Sequence, residues 1–147
     1  MSLPQASTLL LAVSSCGEEL AFLTETFRDT TWRLREACTY RDALTILCLD
    51  RMPVVICRCC LPDANWKDVL SQIAVLPDAP RLIVTSHEPD DRLRAEVISL
   101  GGYDVLTAPL DRNEVICAVG RAWQSWENEC RRVYQHWRQA KVFAKGA

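Results

Sequence analysis

No stretch of this 147-residue chain reaches the roughly 18 uninterrupted apolar residues of a membrane-spanning helix, so no membrane partner is expected. No basic residue precedes the short apolar run that follows Met1 to Thr8, which speaks against a secretory leader. Glycine is scarce, five in all, and the turn from Ser14 to Gly17 holds one where a phosphate-cradling loop needs several. A Ser/His/Asp nucleophile elbow is missing too, so neither a nucleotide-binding enzyme nor a hydrolase is indicated, and no enzymatic activity is expected. Charge of either sign is nearly balanced, 17 Lys and Arg against 19 Asp and Glu. A formal net charge of −2 gives no chain-wide attraction to nucleic acid.

What is present is an ordinary globular composition, 49% hydrophobic and 24% charged, at a one-domain length. The eight cysteines would suit a small disulfide scaffold, but Cys16, Cys38, Cys48, Cys57 and Cys117 lie in or beside apolar runs. Free thiols in a reducing cytoplasm are the simpler expectation.

The chain alternates short buried strands with amphipathic helices. Thr8 to Val13 is a continuous apolar run that stops at Ser14-Ser15-Cys16-Gly17, and Leu20, Phe22, Leu23 and Phe27 follow at near-helical spacing. Trp32 to Cys38 reads as a poorer strand, Tyr40 to Leu49 as a helix ended before Pro53, and Val54 to Cys60 as a β-branched strand. Trp66 to Leu76 carries one helical stripe, Arg81 to Thr85 a fourth strand, and the start signal Glu88-Pro89-Asp90 opens a helix that stops at Gly101-Gly102. Tyr103 to Thr107 is the fifth strand, and Asp111 opens a last helix running almost to the end. Five strands alternating with five helices predict an α/β fold with a parallel doubly wound sheet, whose ligands bind beyond the carboxyl ends of the strands.

This order, with Leu61-Pro62-Asp63, Val84-Thr85-Ser86 and the run Gly101 to Pro109, resembles the receiver domain of bacterial two-component response regulators over residues 7–125. The resemblance implies a flavodoxin-like sheet of order 2-1-3-4-5, followed here by a helical extension over 126–147. It also implies where phosphorylation chemistry should sit, and there the chain departs from the family. Ser14 and Ser15 stand in place of the magnesium-binding acids, Arg58 in place of the phosphoacceptor aspartate, Val105 in place of the aromatic switch residue and Ala108 in place of the lysine. Of the usual set only Thr85 remains. Two hydroxyls supply no charge for a hard cation, and a guanidinium cannot attack phosphorus. The expectation is a pseudo-receiver that signals by protein contact, with no metal and no cofactor.

Arg58 is expected to be paired with Asp63, Asp104 or a backbone carbonyl, or else to form a small anion pocket with Ser14, Ser15 and Thr85. An alternative function is a ligand, metal or redox sensor, because Cys16, Cys59, Cys60 and His87 should all lie near the carboxyl edge of the sheet. Against a metal site, no second pair of spaced ligands accompanies these residues.

The strongest positive signal is in the last helix. Ile116, Val119, Trp123, Trp126, Cys130, Val133, Trp137, Ala140 and Ala144 fall at alternating spacings of three and four, one seam of about four heptads. From Trp126 onward no sheet is expected to cover it, and an uncovered stripe is costly. Residues 127–147 carry Arg131, Arg132, Arg138, Lys141 and Lys145 against Glu127 and Glu129, a net +3, whereas the preceding 126 residues carry −5. A homodimer through Trp123, Trp126, Cys130, Val133, Trp137 and Ala140 is the expected arrangement, with folding back on the same chain or linkage to an absent output domain as the competing ones.

Overall fold

A computed structural model describes residues 8–88 and 90–146, and describes side chains as far as Lys141. The readings that fall on Met1 to Ser7, on Pro89 and on the side chains of Ala144 and Lys145 lie outside the described residues.

Among the described residues ten elements alternate: β1 (Thr8–Val13), α1 (Gly17–Phe27), β2 (Trp32–Ala37), α2 (Tyr40–Leu49), β3 (Val54–Arg58), α3 (Trp66–Ile73), β4 (Arg81–Ser86), α4 (Asp91–Ser99), β5 (Asp104–Thr107) and α5 (Arg112–Gly146). All strand pairs are parallel, and the sheet order is β2-β1-β3-β4-β5. The expected doubly wound architecture is the one observed. Alternation along the strands divides the core into two layers. Leu11, Val13, Val55, Cys57, Leu82, Val84 and Val105 pack on one side against Ala43 of α2, Trp66, Val69 and Ile73 of α3 and Val97 of α4. Leu10, Ala12, Val54, Ile56, Ile83 and Leu106 pack on the other against Leu20, Leu23 and Phe27 of α1 and Val115, Ala118, Val119 and Ala122 of α5.

Local chemistry sets the helix starts. Thr39 accepts a hydrogen bond from the Asp42 N–H, Asp90 from Arg92 and Asp111 from Glu114, while Asn65 and Asp68 form a reciprocal capping box. Three strand ends differ by one residue from the sequence reading, and two boundaries differ by more. The Trp66 stripe ends as helix at Ile73, three residues before Leu76, because Leu76 precedes Pro77 and is steered away from helical geometry. β3 ends at Arg58, since beyond it the chain turns toward α3, where the Cys59 carbonyl accepts from the Trp66 N–H and Cys60 bridges Asn65.

The turn into β5 depends on a close approach. Gly102 donates to the Val97 carbonyl at 2.7 Å, and a Cβ there would lie 2.4 Å from Val97 Cγ1 and 3.0 Å from that carbonyl oxygen. Gly101, at φ +106°, has open space around it. Gly102→Ala is therefore expected to lower unfolding free energy by about 2 kcal/mol through overpacking, and Gly101→Ala by about 1 kcal/mol through backbone strain alone. Urea unfolding of the two variants should rank them in that order.

Candidate functional site

The carboxyl ends of the three central strands converge. Val13 is in register with Cys57, and Arg58 with Thr85. Arg58 and Thr85 continue the alternation of Ile56 and Ile83, so both face the α1 and α5 layer, and Ser14 continues that of Ala12. α1 begins four residues after β1 ends, which lays its first turn over this edge. From that turn Glu19 reaches in. One oxygen, Oε2, accepts from Ser14 Oγ at 2.8 Å and from Arg58 Nη1 at 3.0 Å, while Ser14 Oγ accepts from the Cys16 N–H at 3.1 Å. The Glu19 side chain is only 8% exposed and that of Arg58 20%. The carboxylate also sits at a helix N-terminus, where negative charge is favoured.

The partner of Arg58 is thus Glu19, a correction to the expected Asp63, Asp104 or backbone carbonyl. Asp63 lies beyond the Leu61-Pro62 turn and accepts from the Tyr40 and Arg41 N–H groups at 2.9 and 3.2 Å; the Tyr40 bond foremost holds its carboxyl below the usual aspartate range. Asp104 is engaged by Arg94 of α4 at 2.7 Å. Glu19 was legible only as an acid suited to a helix start. The signal that could have found it is the shortness of the β1–α1 connection, which puts that turn above the strand ends.

The other positions at this edge divide. Ser15 is exposed and takes no part in this hydrogen-bonded group. Thr85 is 1% exposed, and its Oγ1 has no hydrogen-bond partner among the described residues. Ala108 donates its N–H to the Ser86 carbonyl at 2.7 Å and is joined to Pro109 by a cis peptide. Val105 is buried in the opposite layer with Val84 and Val97.

Cys16 and His87 line one open groove of about 620 Å³ with Phe22 and Pro109. Cys59 and Cys60 do not join them. Cys57 and Cys60 have the two-residue separation of many zinc-ligand pairs, but Cys57 is buried in the sheet and Cys60 is exposed in the loop beyond it. Burial pushes the Cys57 thiol up to about 12, and burial followed by the neighbouring Cys60 raises Cys59. Neither is an activated thiolate. Among the described residues no three His, Cys, Asp or Glu side chains are grouped so as to hold a metal ion.

The seam of α5 also divides. Trp123 packs edge-to-face on Trp32 at 6.4 Å between ring centroids. Trp126 donates from Nε1 to the Asp78 carbonyl at 2.9 Å and lies under the Arg51 guanidinium, 4.7 Å from its centroid. Arg51 is ion-paired with Asp78 and contacts Cys130 Sγ at 3.6 Å, while Arg81 binds Ser125 through both its side chain and its carbonyl. The body therefore covers the seam as far as Cys130, one turn beyond the expected limit, because the loop before β4 rises to meet it. Trp123 and Trp126 are held within the chain. Residues 131–141 are all exposed, with Val133 at 54%, Tyr134 at 58% and Trp137 at 54%.

No family model and no curated protein matches the chain. Solved structures do. A signal receiver domain of an HD domain-containing protein from Pseudomonas fluorescens Pf-5 superposes with a TM-score of 0.80 at 24% identity, covering 90% of this chain and 98% of that one. The chemotaxis response regulator CheY4 of Vibrio cholerae gives 0.73 at 16% identity over 80% and 99% of the two chains. The beryllofluoride-activated NtrC4 receiver domain dimer gives 0.74 at 18% identity over 80% and 98%. The likeness establishes the fold of response-regulator receiver domains.

Removing one partner of the Arg58–Glu19 pair strands the other in a mostly dry site. Arg58→Ala is expected to cost about 2 to 3 kcal/mol in urea unfolding, while Arg58→Met combined with Glu19→Leu stays within about 1 kcal/mol of the parent. A double-variant loss equal to the sum of the Arg58→Met and Glu19→Leu single losses would show that the pair is not coupled.

Proposed function

We propose that this chain is a pseudo-receiver: a bacterial, cytoplasmic signalling module of two-component type that acts through protein contacts without being phosphorylated, and that has no enzymatic activity. The observation that carries the reading is the Arg58–Glu19–Ser14 group at the strand ends. Where the resembling family places a phosphoacceptor and magnesium-binding acids, this site holds a cation, a hydroxyl and one carboxylate already engaged by both. Phosphoryl transfer depends on metal charge and in-line positioning of an acceptor. A guanidinium in that place repels the metal and offers no nucleophile. Eight free cysteines suit the reducing compartment proposed.

The module is divided at α5. Residues 7–125 form the receiver-like body, and 126–147 the extension through which the chain forms a homodimer. Support for the dimer comes from the exposed Val133, Tyr134 and Trp137 beyond the covered part of the seam. Covering the exposed half of one aromatic side chain removes roughly 100 Å² of apolar surface, about 2.5 kcal/mol. The basic extension and acidic body favour such contact electrostatically.

Incubation with acetyl phosphate and magnesium is expected to leave the intact mass unchanged, and a stoichiometric phosphoryl adduct on one residue would refute the central claim. In sedimentation, the full chain is expected to be a dimer and a chain ending at Cys130, which keeps the contacts of Ser125 and Trp126, a folded monomer. A monomeric full chain would remove the homodimer.

A further inference from the structure

We infer that the exposed end of α5 docks on a second copy of this chain in the antiparallel sense, so that Trp137 of the second copy enters the groove between α5 and the loop before β4. This rests on the homodimer proposed above and specifies its orientation.

Three observations converge. First, that groove, about 430 Å³, is lined by Asp78, Ala79, Trp126, Cys130 and Val133 among others, and it runs directly into the exposed stripe. The same seam face is concave beside the body and bare beyond it, and antiparallel pairing brings the bare end of each helix to the groove of the other.

Second, side-chain size along the seam is matched in only one sense. In an antiparallel pair whose axis passes beside position 135, Val133 faces Trp137 and Cys130 faces Ala140. A parallel in-register pair sets Trp137 against Trp137 and Ala140 against Ala140, crowding one layer and leaving the other empty.

Third, charge is segregated along the helix, with Glu127 and Glu129 near the body and Arg131, Arg132, Arg138 and Lys141 further out. Antiparallel pairing brings Glu127 opposite Lys141 of the second copy, whereas parallel pairing sets basic end beside basic end. The exposed length is also short. A specific interface engages about 20 to 30 residues on each side. The eleven residues 131–141 fall below that number, and the groove on the body supplies more.

The test uses the full chain with Ala140→Cys. Diamide takes two electrons and two protons from a pair of thiols, joining them as a disulfide and becoming a hydrazine. The expected product is a covalent dimer in which mass spectrometry finds Cys130 joined to the cysteine introduced at position 140. Those positions lie about 15 Å apart on one helix, too far for a bridge within the chain, so the link reports the second copy. Glu127→Lys and Lys141→Glu should each weaken the dimer about tenfold, and the double variant should recover to within about threefold of the parent.

A dimer linked only between the two introduced cysteines, or one without the mixed link, overturns the antiparallel arrangement and leaves the homodimer standing. A parent chain that sediments as a monomer overturns both.

Discussion

The two-residue alternation of a sheet buried on both faces is the constraint on which everything else depends. It sends Cys57 and Cys59 toward the α2 and α3 layer, and Arg58, between them, toward α1 and α5. One position earlier or later, a guanidinium would sit in a layer of aliphatic side chains. At the end of β3 it meets instead the first turn of α1, where Glu19 is already favoured by the helix terminus. The same alternation keeps the buried thiols away from this pair, which is why residues that cluster in the sequence do not share a pocket.

Most of the fold was legible because each element announces itself locally. Tyr40–Leu49 and Thr8–Val13 have the same limits in sequence and structure, since a capping threonine bounds the first and a serine-rich turn the second. Departures arise where two signals compete, as at Leu76, where the apolar stripe continues but the following proline decides the backbone. The site was less legible. Its strand residues follow from the topology, but the carboxylate that completes it comes from a different element, and Asp63 and Asp104 are equally plausible as text. Only the positions of Tyr40 and Arg94 show that those two are already engaged.

The limit of the body along α5 was also hidden from the sequence. An apolar seam records that something covers it and not what. Trp126 and Val133 are indistinguishable in that pattern, yet Trp126 is claimed by Asp78 and Arg51 while Val133 faces solvent. The difference comes from the loop before β4, whose Asp78 adopts φ +53° and turns its carbonyl toward the indole.

That loop gives the long helix a mechanical character. Val115 to Ala122 seat α5 on the sheet, Arg81 at the start of β4 grips Ser125, and Arg51 and Asp78 grip the next turn, so the helix is held by the body as far as Cys130. Beyond Cys130 it is a rigid lever extending about 16 Å to Lys141, and a tilt of about 10° at the base sweeps that end through about 3 Å. The clamp is built on the strand that also carries Thr85 at its far end. A tilt at the clamp is therefore magnified at the tip in proportion to the free length of the helix beyond Cys130.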